Sequence, residues 1–140
     1  MRKNTEELLE ILHKSTSIEV FMDSYEDNFS DMTLSTFLED MASKKNLTKS
    51  DIIQKSNLSA VYVYKIFAGE RNPQRDKLLA LAFGLELDLE KTQKMLKIAD
   101  AGALYPRVRR DSIIIFALNQ RTDIITCNEM LYELGEDILE

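Results

Sequence analysis

At 140 residues, with a net charge of −6, one Cys and one His, the chain can fill one domain and an appended piece but cannot build an internal disulfide or a zinc finger. No apolar run is long enough to cross a membrane and no signal-peptide pattern opens the sequence, so a cytoplasmic protein without a membrane partner is expected. Four Gly, two Pro and few β-branched runs predict an all-α fold.

In chain order, Asn4 to Lys14 has the period of an amphipathic helix, capped by Asn4 or Thr5, with Leu8, Leu9, Ile11 and Leu12 on its apolar side. Ser15 to Asp31 is polar and acidic with scattered apolar residues, and holds either another short helix or a linker. Thr33 caps a clearer helix whose Leu34, Phe37, Leu38 and Met41 recur at helical spacing. Next, Thr48 and Asp51 form a capping-box pair at the head of a short helix with Ile52 and Ile53 as its buried stripe. Asn57 stands where the chain must turn, and Asn tolerates the left-handed backbone such a corner needs. Leu58 plugs the corner and Ser59 caps the following helix. There Val63, Ile66 and Phe67 share one side, leaving Ala60, Val61, Tyr64 and Lys65 on the other. Gly69 ends that helix, and Arg71-Asn72-Pro73 leads out through a loop.

Beyond the loop, Arg75-Asp76-x-Leu78-Leu79-x-Leu81-Ala82 recurs 35 residues later as Arg110-Asp111-x-Ile113-Ile114-x-Phe116-Ala117. Asp88-Leu89 and Asp123-Ile124 keep the same offset, as do Met95-Leu96 and Met130-Leu131. This is the length of a helix-pair unit, with both Asp residues at helix caps. The Arg-Asp pairs are expected to make local ion pairs or cap contacts. Between the copies, Gly102 and Pro106 mark a loop. Arg107, Arg109 and Arg110 there either meet an anion or DNA backbone, or neutralise neighbouring acidic helices. Tyr105 is expected to pack.

Charge is unevenly spread. Residues 1–33 carry three basic and eight acidic groups, residues 34–80 eight and five, and residues 81–140 seven and eleven. The net-basic third therefore coincides with the paired short helices, and a local positive face is what phosphate binding requires.

From about Leu34 to Leu89 the chain resembles the lambda-repressor-like, xenobiotic-response-element type of helix-turn-helix regulators. Thr48, Asn57, Leu58-Ser59, Gly69 and Arg71-Asn72-Pro73 follow that family's order and spacing. The sequence departs from the pattern at Lys49, where Gln is common, at Ile53, where a small residue is usual, and at Phe67, where Glu often stands. The resemblance implies a helix-turn-helix bundle over residues 33–100; the helical period near the N-terminus adds a helical extension at 1–32, and the repeat adds a C-terminal helical hairpin at 101–140 packed on the bundle. It implies double-stranded DNA as partner and a homodimer on a near-palindromic site, with half-sites about one helical turn apart. The terminal helices would supply the dimer contact or meet a protein partner.

The expected base-facing residues are Ser59, Ala60, Val61, Tyr64 and Lys65. Ala60 and Val61 cannot make bidentate bonds to bases but can touch thymine methyl groups, and Lys65 can reach a guanine edge. Lys49, Tyr62, Arg71, Asn72 and Arg75 are the expected phosphate contacts. No catalytic, dinucleotide or metal-ligand motif appears, so no enzyme, cofactor or metal is expected. His13 suits the dipole at the end of its helix, and Cys127 reads as buried and inert. The second functional reading is a protein-interaction module that keeps the fold and binds through Ala60, Val61 and Tyr64.

Overall fold

The computed structural model describes residues 4–24 and 32–140, which divide into two compact units, residues 1–31 and 32–140. Among the described residues the structure is all helical. In the first unit, α1 (Thr5–Lys14) starts at Asn4, whose side chain accepts the Glu7 N–H at 2.8 Å, and Leu9 and Leu12 of its apolar side stay exposed. A second helix, α2 (Ile18–Ser24), occupies the stretch left open between helix and linker; Tyr25 to Asp31 lie outside the described residues.

The second unit contains α3 (Leu34–Lys44), α4 (Lys49–Ser56), α5 (Ala60–Phe67), α6 (Arg75–Gly84), α7 (Leu89–Ile98), α8 (Arg109–Asn119) and α9 (Ile124–Glu133). Thr33, Thr48, Ser59, Asp88 and Asp123 each accept a backbone N–H three residues on, so the short polar residues before the apolar periods do set where helices begin. Most helices end on one device. A left-handed residue follows the last turn and the next amide bonds back five residues, as in Leu47 N–H to the Ala42 carbonyl at 2.9 Å and Leu87 N–H to the Ala82 carbonyl at 2.9 Å. Glu86, Asp100 and Arg121 take this conformation without being Gly or Asn, at a cost of about 1 kcal/mol each that the surrounding packing must offset.

The core runs through the whole second unit, and α6 is its centre. Seven consecutive residues, Leu78 to Gly84, are buried, so α6 is enclosed on every side and has no polar face to period against. Gly84 allows this. A Cβ there would lie 2.8 Å from the Ser56 Cβ and 2.9 Å from the Ile52 carbonyl oxygen, so α4 can cross α6 only over a bare backbone. The expected boundary at residue 101 falls on a connector inside this shared core, since Leu104, Ile114, Leu118 and Leu131 belong to the same apolar cluster as Leu38 and Ile52.

The 35-residue repeat is structural, and its bonds cross between the copies. Arg75 of the first copy makes two bonds to Asp111 of the second, at 3.1 and 2.7 Å, while Arg110 makes two bonds to Asp76, both at 2.9 Å. Arg75 Nε donates to the Gly102 carbonyl at 2.8 Å, and Arg110 Nε donates to the Asp137 carbonyl at 2.9 Å, again 35 residues on. Gln93 closes a two-bond clasp on the Leu104 backbone, and Asn128 closes the same clasp on Leu139. The local Arg-Asp pairing expected from sequence is therefore corrected. Arg75 and Asp76 are neighbours on one helix, and side chains at i and i+1 diverge, whereas the partner hairpin presents a carboxylate in line with each guanidinium. The exchange is reciprocal, so α6–α7 and α8–α9 meet across a pseudo-two-fold axis.

Candidate nucleic-acid interface

α4 and α5 are joined by Asn57, which is left-handed at φ 60°, with Leu58 buried beneath the corner. The capping box forms in full: the Thr48 Oγ accepts the Asp51 N–H at 3.1 Å and the Asp51 carboxylate accepts the Thr48 N–H at 2.9 Å. Those bonds hold the Asp51 carboxyl below its ordinary pKa, the backbone N–H of Thr48 having the largest effect. Buried Ser56 fixes the corner from inside, its Oγ accepting the Leu58 N–H at 3.3 Å.

α5 buries Val63, Ile66 and Phe67, and the Ser35 hydroxyl donates to the Phe67 carbonyl, tying its last turn to α3. The opposite stripe is open. Ala60 is exposed, Val61 is 65 % and Tyr64 54 % exposed, and Lys65 is half-buried at the stripe's edge. Ser59 is exposed, and its hydroxyl accepts the Tyr62 N–H at 3.2 Å as the helix cap. The five residues expected to face bases thus lie at the start and along one side of a single helix.

The five expected phosphate contacts do not stay together. Tyr62 is half-buried, with the Arg71 guanidinium 5.8 Å from its ring centre. Asn72 is exposed on the same loop. Lys49 is half-buried, its ammonium 5.2 Å over the Phe67 ring and 3.4 Å from Glu39. Arg75 is corrected out of the set, because its guanidinium is turned inward and bonded to Asp111, Gly102 and Ala103. Four of its five N–H groups have internal acceptors, which leaves little to offer a phosphate. Lys77 stands in its place, 5.8 Å from the Tyr62 ring, so two cations gather on one phenol. In the sequence Lys77 is one of the eight basic groups of residues 34–80 and belongs to no motif. Its spacing from Arg71 along the chain carries no hint that the Pro73 loop brings both to Tyr62.

Of the arginine cluster in the connector, Arg109 pairs with Glu136 at 3.4 Å and donates to the Leu134 carbonyl at 2.8 Å. Arg110 is held by Asp76, whose hydrogen bonds raise the guanidinium pKa. Both neutralise acids of this chain; Arg110 is half-buried, whereas Arg109 and Arg107 are exposed. Tyr105, expected to pack, is 53 % exposed; its N–H donates to buried Asp111 at 3.0 Å, so its backbone makes the anchoring contact.

Cys127 is fully buried, and burial pushes its thiol up to about 11, so at neutral pH it is protonated and a poor nucleophile. Among the described residues no group of three or more His, Cys, Asp or Glu is placed to hold a metal ion, and no helix is long and apolar enough to cross a membrane. No protein-family model, curated protein or solved structure matches this chain.

Proposed function

We propose that the chain is a DNA-binding transcriptional regulator of lambda-repressor-like type, in which α4 and α5 form a helix-turn-helix and α5 enters the major groove. One observation carries this reading. α5 is buried on one side, bare along Ala60, Val61 and Tyr64 on the other with half-buried Lys65 at the edge, and bordered by Arg71 and Lys77 at Tyr62. A helix held only by its back, with cations at its flank, fits groove insertion with backbone anchoring. In this reading Val61 and Ala60 meet thymine methyl groups, Lys65 and Tyr64 meet polar base edges, and Lys49, Tyr62, Arg71, Asn72 and Lys77 meet phosphates. A homodimer reads two half-sites, and the protein works in the cytoplasm.

Selection of bound fragments from random duplex DNA, followed by a salt titration on the winner, tests it. Affinity should fall by about 0.9 log unit per log unit of salt for each phosphate neutralised. Arg71→Ala or Lys77→Ala should flatten that slope by about one unit without changing sequence preference, and Lys65→Ala should relax preference at one base pair. Arg75→Ala should leave the slope alone. No retention of DNA at low salt would sink the reading. It would favour a protein-interaction module, for which the exposed Val61 and Tyr64 supply the apolar anchors.

A further inference from the structure

We propose that the connector between the two hairpins, residues 102–108, carries a further DNA contact, in which Arg107 meets a phosphate flanking the segment read by α5. The contact rests on the DNA-binding reading above and lengthens its footprint. Its basis is where the two Arg-Asp crossings place the hairpins. Arg75 reaches Asp111 and Arg110 reaches Asp76, all four within the first three residues of their helices, so α6 and α8 set their N-terminal ends side by side. The α6 end is also where the chain leaves the α4–α5 pair. Arg71 just before it and Lys77 in its first turn each lie 5.8 Å from the centre of the Tyr62 ring. The start of α8, and the connector that feeds it, therefore adjoin the flank of α5 assigned to the DNA backbone.

The connector backbone is pinned along its length. The Gly102 and Ala103 carbonyls accept from Arg75, and Gln93 clasps Leu104 by two bonds of 2.8 Å. The Tyr105 N–H donates to Asp111 at 3.0 Å, and the Ser112 hydroxyl donates to the Pro106 carbonyl. These last two bonds hold the tip without Arg75. On that fixed tip Arg107 is exposed, and its guanidinium has no hydrogen bond or ion pair among the described residues. Its neighbours differ. Arg75, Arg109 and Arg110 are paired with Asp111, Glu136 and Asp76 and would have to release a carboxylate to take a phosphate. Arg107 keeps its whole five-donor fork free on backbone already ordered, so a phosphate costs it neither a broken pair nor loop entropy.

Salt titrations of the full chain on two duplexes test the contact, one trimmed to the selected half-site and one extended at both ends by about one helical turn, roughly 10 base pairs. For wild type, the salt slope should be steeper on the extended duplex by about one unit. Arg107→Ala should remove that extra unit while keeping the wild-type circular dichroism and melting temperature, and Arg107→Lys should retain it. The control is Arg121→Ala. Arg121 is equally exposed and lies just past the other end of α8, roughly 16 Å away along an eleven-residue helix, so its loss should leave both slopes unchanged. A wild-type slope that does not rise on the longer duplex, an Arg107→Ala chain with the wild-type slope, or an equal loss in Arg121→Ala overturns the proposal. Wild-type binding to the trimmed duplex with any of these outcomes removes this contact alone. Absence of salt-dependent binding to either duplex removes the DNA reading, and the contact with it.

Discussion

The hairpins α6–α7 and α8–α9 share their internal bonds down to the same carbonyls 35 residues apart, yet their outer surfaces have opposite fates. α6 is enclosed by α4, α7 and α9 and buries every residue from Leu78 to Gly84, whereas α8 leaves Phe116 in the open. Repetition therefore fixed the interface between the copies and left the outer face of each free to diverge. A residue's role here follows from which face the repeat turns inward, and residue type alone does not assign it. Arg75 illustrates the point. Beside a helix-turn-helix pattern it reads as a phosphate contact, but as a member of the repeat it belongs to the Asp111 crossing.

The largest expected difference lies between matched truncations. Leu81→Ala should destabilise the fold by about 2–5 kcal/mol, because it empties a sealed site at the centre of the core. Phe116→Ala should cost less than about 1 kcal/mol in urea unfolding. Equal costs would mean that α8 is covered as completely as α6. Next come the two crossings. Asp111 is buried and also accepts the Tyr105 N–H at 3.0 Å, so Asp111→Asn should cost about 2–4 kcal/mol by leaving Arg75 without a charged partner. The Asp76 side chain is 40 % exposed, and Asp76→Asn should cost about 1 kcal/mol or less. If calorimetry finds the reverse order, burial is not what separates the crossings.

Acid should produce the smallest effect. Cap hydrogen bonds, from Thr126 to Asp123 in the second hairpin and from Thr48 to Asp51 outside it, lower both carboxyl pKa values in the folded chain. Their contribution is therefore complete above the unfolded carboxylate value near about 4 and is lost as pH falls through the lower folded values. Melting temperature should be flat from neutrality to that point and then decline, and Asp123→Asn should soften the decline while preserving the cap. A decline that begins well above this range would assign the acid sensitivity to other groups.

Helix starts were legible in sequence because capping is local. Thr33, Thr48, Ser59, Asp88 and Asp123 each act on an amide three residues away, and Asn57 marks its corner by its own backbone tolerance. The offset of 35 residues was equally plain, as was the split of α5 into an apolar side and an open one. Several helix ends were not legible, since Glu86, Asp100 and Arg121 adopt left-handed backbone that packing imposes and residue type does not announce. Nor could the partners of Arg75 and Arg110 be read, because a guanidinium chooses among all carboxylates that folding brings near, and the chosen ones lie 36 and 34 residues away. Sequence alone thus determined where the capped helices begin and which side of α5 is apolar, through interactions spanning a few residues, while α6 and α8 start at Gln74 and Val108 without a side-chain cap. Tertiary structure decided which cations remain at the surface and which apolar face stays open, because pairing and burial depend on neighbours distant along the chain.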